Sequence, residues 1–186
     1  ILIEYKGYKD KMSTDFYLEC VSKILKRAPS VLIHYPEDVV RISMYMGQVP
    51  NRIVSWVYNS NTRRQHRDIA FYGINPDFSK VKQPYKNPND KRIKKLIENG
   101  SQGTNLYDWW NVNQVKNVSR EKSDHPCQMP LQIMKNIVGI LPTTLQYPVL
   151  TKTLMSTMGR WKEDYFICDN KEQLLEAYKV IQSPQL

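Results

Sequence analysis

The chain has 186 residues and a mass of 21.9 kDa, which is room for one domain with a substantial core and little more. Hydrophobic residues make up 41%, and 27 Lys and Arg against 18 Asp and Glu leave a net charge of +9, with a pI near 9.4. This composition excludes collagen-like, mucin-like and wholly disordered chains. No apolar run approaches the ~20 residues of a membrane span, and the first residues show no n-region, h-region and cleavage site, so secretion is not expected. Cys20, Cys127 and Cys168 stand far apart without a C-x-x-C pair. That pattern points to a reducing, cytoplasmic setting rather than a disulfide framework or a structural zinc site.

In chain order, residues 14–27 are predicted to form an amphipathic helix with Phe16, Tyr17, Cys20, Val21, Ile24 and Leu25 on one face. Pro29 stops it, and SVLIHY at 30–35 reads as a buried strand. Pro36, Glu37 and Asp38 begin a helix that runs to about Met46 and ends at Gly47. RIVSWVY at 52–58 and DIAFY at 68–72 are further strands, separated by turn chemistry at 59–66. Strand, helix, strand in this order predicts a parallel sheet with crossover helices. Residues 73–89 and 101–124 show little periodicity and read as long ordered loops, with a short basic helix at 90–99 between them. Residues 130–141 form a helix with Ile133, Met134, Ile137, Val138 and Leu141 inward. YFIC at 165–168 is a strand, and Asn170 caps a last helix.

The positive charge is unevenly placed. Between positions 60 and 100 only Asp68, Asp77, Asp90 and Glu98 oppose Arg63, Arg64, Arg67, Lys80, Lys82, Lys86, Lys91, Arg92, Lys94 and Lys95. Such a one-sided excess in loops favours a polyanionic partner, because each Lys or Arg set against a phosphate releases condensed counterions. Arg63, Arg64, Arg67, Lys80, Lys82 and Lys86 are the candidate nucleic-acid contacts. Trp109 and Trp110, in a loop with Tyr107, are candidates for stacking on a base, and either is also a candidate core plug. Three His, none set with other ligands at metal-binding spacing, predict no metal site. Seven Gly without a G-x-G-x-x-G or Walker pattern exclude a nucleotide loop of the usual kind.

The segment 107–142, YDWWNVNQVKNVSREKSDHPCQMPLQIMKNIVGILP, resembles the DNA amino-methyltransferases, which methylate adenine N6 or cytosine N4 with S-adenosylmethionine. In the similar subgroup an H-P-x-Q-x-P motif precedes an amphipathic helix and contributes to the methyl-donor pocket; here it is His125, Pro126, Cys127, Gln128, Met129 and Pro130. The likeness spans roughly residues 8–142, and the tail YFICDNKEQLLEAYKVI is similar to the family's next strand, acid and helix. It implies an α/β, methyltransferase-like (Rossmann-type) fold: a mostly parallel sheet with helices on both faces and long inserted loops. Residues 1–72 would be the first half of the core, 73–124 a target-recognition-like loop region, and 125–186 the donor-pocket motif, helix and last strand-helix part. It further implies S-adenosylmethionine held by His125, Pro126, Cys127, Gln128, Pro130 and Asp169, the last as the acid on the ribose, and double-stranded DNA as partner.

The departures from the family are specific. Its catalytic tetrapeptide, an acid or amide followed by Pro-Pro and an aromatic, has no counterpart, since no Pro-Pro occurs in the chain. The catalytic residues are therefore unassigned. The Gly-rich loop expected after the 125–130 motif is replaced by YPVLTKTLMSTMGRW, and Met129 stands where many relatives carry Lys. Three readings follow: a DNA amino-methyltransferase whose catalytic pieces lie outside this chain, a non-catalytic methyltransferase-like protein that binds nucleic acid or joins a catalytic or identical subunit, or a scaffold that reuses the fold.

Overall fold

The computed structural model describes residues 2–5, 14–26, 29–122, 129–142, 161–162 and 165–168. Residues 30–32 are buried in succession because the strand is covered on both sides, and successive side chains point to opposite faces. Val31 joins one apolar cluster and Leu32 the other, and the same split separates Ile69 and Phe71 from Ala70 and Tyr72. Helices therefore cover both faces of one sheet, as expected. Helices α1 (Thr14–Leu25) and α2 (Pro36–Met46) supply Leu18, Val21, Leu25, Val39, Ile42 and Met46 to one layer. Helix α4 (Leu131–Ile140) supplies Ile133, Met134, Ile137 and Ile140 to the other. Each such fully buried aliphatic side chain contributes about 1.5–3 kcal/mol.

Among the described residues the sheet has seven strands: β1 (Leu2–Tyr5), β2 (Ser30–His34), β3 (Arg52–Val57), β4 (His66–Tyr72), β7 (Trp109–Asn111), β8 (Trp161–Lys162) and β9 (Tyr165–Cys168). Their order is β7-β3-β4-β2-β1-β9-β8. Strands β9, β1 and β2 run parallel, as do β3 and β7. β4, however, lies antiparallel between β2 and β3, and β8 is antiparallel to β9. The expected mostly parallel sheet is thus corrected to a mixed one. The cause is the connection 58–65, where the Tyr58 N–H donates to the Gln65 carbonyl at 2.9 Å. These eight residues hold no crossover helix, and a parallel return needs a dozen or more.

Helix α2 has the predicted ends. Pro36 occupies its first turn with Glu37 and Asp38, and Gly47 closes it at φ 63°, sending its N–H to the Met44 carbonyl at 3.1 Å. Helix α4 starts at Pro130, which offers no side-chain cap. Glu121, ten residues upstream, replaces it by accepting the Leu131 N–H at 3.1 Å. On α1 the buried face runs through Leu18 as well as Val21 and Leu25, so the predicted stripe omitted one of its members.

Within the expected loop region, the described residues 73–122 are more structured than their composition suggested. A short 3-10 turn (Phe78–Lys80) leads into β5 (Lys82–Gln83), which pairs with β6 (Thr104–Asn105) as a separate two-stranded ribbon. Between them lies α3 (Lys91–Glu98), capped by Asp90, whose carboxylate accepts from the Arg92 N–H at 2.8 Å. The chain then returns as β7 to the sheet edge, so this segment shares the common core.

Candidate nucleic-acid interface

The basic excursion is anchored at its base. Phe78, Val81 and Leu106 pack on the α4-side core, and the Leu106 N–H donates to the Val81 carbonyl at 3.0 Å. At Gly139 a Cβ would stand 2.5 Å from Val81 Cγ2, so α4 approaches the ribbon more closely than any other residue allows. Gly103, at φ 133°, is pressed against the Gln83 backbone in the same way. Beyond this root the excursion is solvent-facing: α3 has no buried residue, and Lys91, Arg92, Lys94 and Lys95 are exposed.

The structure gathers the candidate contacts into two groupings. In the first, the Lys86 ammonium lies 4.1 Å from the Trp109 ring centre and 4.8 Å from that of Tyr107. Trp109 is 41% exposed at the edge strand β7. In the second, Arg64 and Arg67 share the ring of Tyr35, their guanidinium carbons 4.3 and 5.1 Å from its centre. Arg64 also pairs with Glu37, and Arg67 lies 5.9 Å from the Trp56 ring centre. Tyr35 follows the carboxyl end of β2 and Arg67 sits near the start of the reversed β4. This edge also holds the carboxyl ends of β1, β3, β7 and β9, the side of an α/β sheet where ligands bind.

The remaining candidates fare differently. Arg63 is exposed in the 58–65 connection, braced there by Gln65, which donates to the Ser60 carbonyl at 2.9 Å. Lys80 donates to the Leu141 carbonyl at 3.3 Å and Lys82 to the Asn105 side chain, so both help hold the root. Trp110 is corrected from a stacking candidate to a core residue. It is 3% exposed, pairs in register with the buried Trp56, and donates its indole N–H to the Tyr107 carbonyl at 2.9 Å. Alternation decides this: adjacent strand residues face opposite ways, so only one of Trp109 and Trp110 reaches solvent.

Near the second grouping, His34 Nδ1 lies 2.9 Å from Asp38 and 3.1 Å from the Tyr35 N–H. It accepts from the latter only when neutral and donates to the former only when it holds the proton there. Burial pushes the imidazole below the usual histidine value; Asp38 opposes this and Arg67 adds to it. On the face of β4 opposite Arg67, burial raises Asp68, opposed by His66 and by the Ser55 hydroxyl at 3.4 Å. Tyr35, Tyr107 and Glu37 were absent from the sequence-based candidates. The one available signal was Tyr35 at a strand end immediately before a helix-starting Pro, where ring and charge meet only after folding.

Of the expected donor-pocket residues, His125, Pro126, Cys127, Gln128 and Asp169 lie outside the described residues. Pro130 and Met129 are buried at the start of α4. The described glycines with positive φ are Gly47, Gly73, Gly100 and Gly103; they end a helix, a strand and a helix and support the β5–β6 ribbon. None of these described glycines opens a phosphate- or donor-cradling loop after a parallel strand. Among the described residues there is also no group of three or more His, Cys, Asp or Glu placed to hold a metal ion, and no helix long and apolar enough to cross a membrane. Compared with protein-family models and with curated proteins, the chain matches none.

Proposed function

We propose that this chain is a DNA-binding domain of the amino-methyltransferase type, engaging duplex DNA through its basic, aromatic excursion. The observation that carries the reading is the Lys86–Trp109–Tyr107 grouping. A half-exposed indole beside a lysine ammonium is held at a sheet edge by a rooted ribbon whose outer helix is strongly basic. Lysines there would neutralise phosphates, and the indole offers a sequence-tolerant surface for a base. The chain lacks the Pro-Pro tetrapeptide with which the family polarises an exocyclic amine, so the reading is one of binding. A second reading, binding of S-adenosylmethionine as well, is favoured by one feature: the 125–130 motif leads directly into a helix whose face is buried in the core.

The test is the binding of a fluorescently labelled duplex over a range of salt. Affinity is expected to fall with a log–log slope of about −0.9 for each phosphate neutralised. Lys86→Ala should reduce that slope by about one unit. Trp109→Ala should weaken binding about 5- to 100-fold without altering the slope. Affinity that does not respond to salt would refute the reading. Titration of S-adenosylmethionine by calorimetry decides the second: heat of binding supports it, and none at millimolar donor removes it.

A further inference from the structure

We infer that Tyr35, Arg64 and Arg67 form a site for a phosphate group in which Arg67 rests in a stacked, unpartnered pose that the phosphate relieves. Arg67 is clamped by two aromatic rings, Tyr35 and Trp56. Its Nε is buried without an acceptor among the described residues. A buried donor left unpaired costs stability, and native structures rarely keep one without a use for it. The nearby acids are otherwise engaged. Glu37 pairs with Arg64, Asp38 faces His34 and Arg41, and Asp68 points to the other face of β4 beside Ser55. Among the described residues, two guanidinium groups therefore meet at one ring with a single carboxylate paired to them, that of Glu37. An oxyanion presented at this edge can take both, and a turn of the Arg67 side chain off the rings would bring its Nε and terminal nitrogens to two oxygens as a fork. A carboxylate could be held by one such fork, but a phosphate presents enough oxygens for both arginines.

The phosphate has two sources, the backbone of DNA or a small phosphate compound; only the first rests on the function proposed above. Arg67→Met keeps the bulk between the rings while removing the unpaired donor. Pyrophosphate is the probe, added at constant ionic strength balanced with chloride. The wild-type melting temperature is expected to rise by about 3–6 °C at tenfold excess over the dissociation constant. Arg67→Met should melt at the same or a higher temperature without ligand and show no such rise. No rise in the wild type, an equal rise in the variant, or a clearly lower baseline for the variant would each overturn the inference. The source is then read from duplex binding. A loss of about tenfold in Arg67→Met assigns the phosphate to the DNA backbone. Unchanged duplex affinity with an intact pyrophosphate response in the wild type assigns it to a small phosphate compound. A pyrophosphate response with no duplex binding by either protein keeps the site and rejects the DNA reading.

Discussion

Replacing Gly139 with Ala probes the contact that roots the basic excursion on α4. The new methyl would stand 2.5 Å from Val81 Cγ2, well inside van der Waals contact. Val81 is β-branched and stiff at χ1, and it is packed against the core, so it cannot swing clear. Overpacking of this kind costs about 1–3 kcal/mol. The exchange of Gly for Ala inside a helix returns about 1 kcal/mol. The net expectation is a destabilisation of up to about 2 kcal/mol. In a Val81→Ala background the obstructing methyl is gone, and the same Gly139→Ala change should become stabilising by up to about 1 kcal/mol. Urea unfolding followed by the fluorescence of buried Trp56 and Trp110 measures all four corners of the cycle. A coupling of about 1–3 kcal/mol is expected. Additivity within about 0.5 kcal/mol would refute the reasoning, since residues in contact do not act independently.

Three further outcomes are expected. Asp90→Ala removes the α3 cap, worth about 1 kcal/mol, yet α3 buries nothing. Hydrogen exchange of its amides should therefore speed up severalfold while the global urea midpoint stays in place. Glu121→Gln should destabilise the whole domain by about 0.5–1 kcal/mol through the first turn of α4, with the loss shrinking in high salt; an unchanged midpoint would count against the cap. For His34 the sign follows from its lowered pKa. As pH falls from 7.5 through the free-histidine value near 6.5, the unfolded chain takes up the proton before the folded one, so stability declines. His34→Gln should remove that part of the decline in urea midpoints between pH 7.5 and 5.5, and parallel profiles for the two proteins would refute it. Asp38, Glu37 and Arg67 are the charged groups that act on this imidazole.

Much of the local architecture was legible in residues a few positions apart. Pro36 with two acids, Gly47, Asp90 and Gly100 mark helix ends because capping and left-handed turns act within one helical turn. The continuous apolar runs at 30–35 and 68–72 identified strands, and the structure buries them on two faces. The candidate site was half legible. The basic loop and its tryptophans stood out in composition, whereas their division into one solvent-facing and one core indole depended on register with β3. β7 itself, three residues long, carries too little pattern to be seen as a strand.

Charge, composition, helix boundaries and the apolar strand segments were determined by the amino-acid sequence alone, since each depends on side-chain chemistry or on hydrogen bonds closed between near neighbours. Only the tertiary structure decided that β4 is inserted between β2 and β3, that Trp110 goes inward, and that Arg64 and Arg67 meet on Tyr35 with one donor unpartnered among the described residues. Those outcomes arise from pairing between segments that lie from 9 (Val57 and His66) to 54 (Ser55 and Trp109) positions apart. There the energy of burial is shared across the whole sheet, and no local stretch of chain carries it.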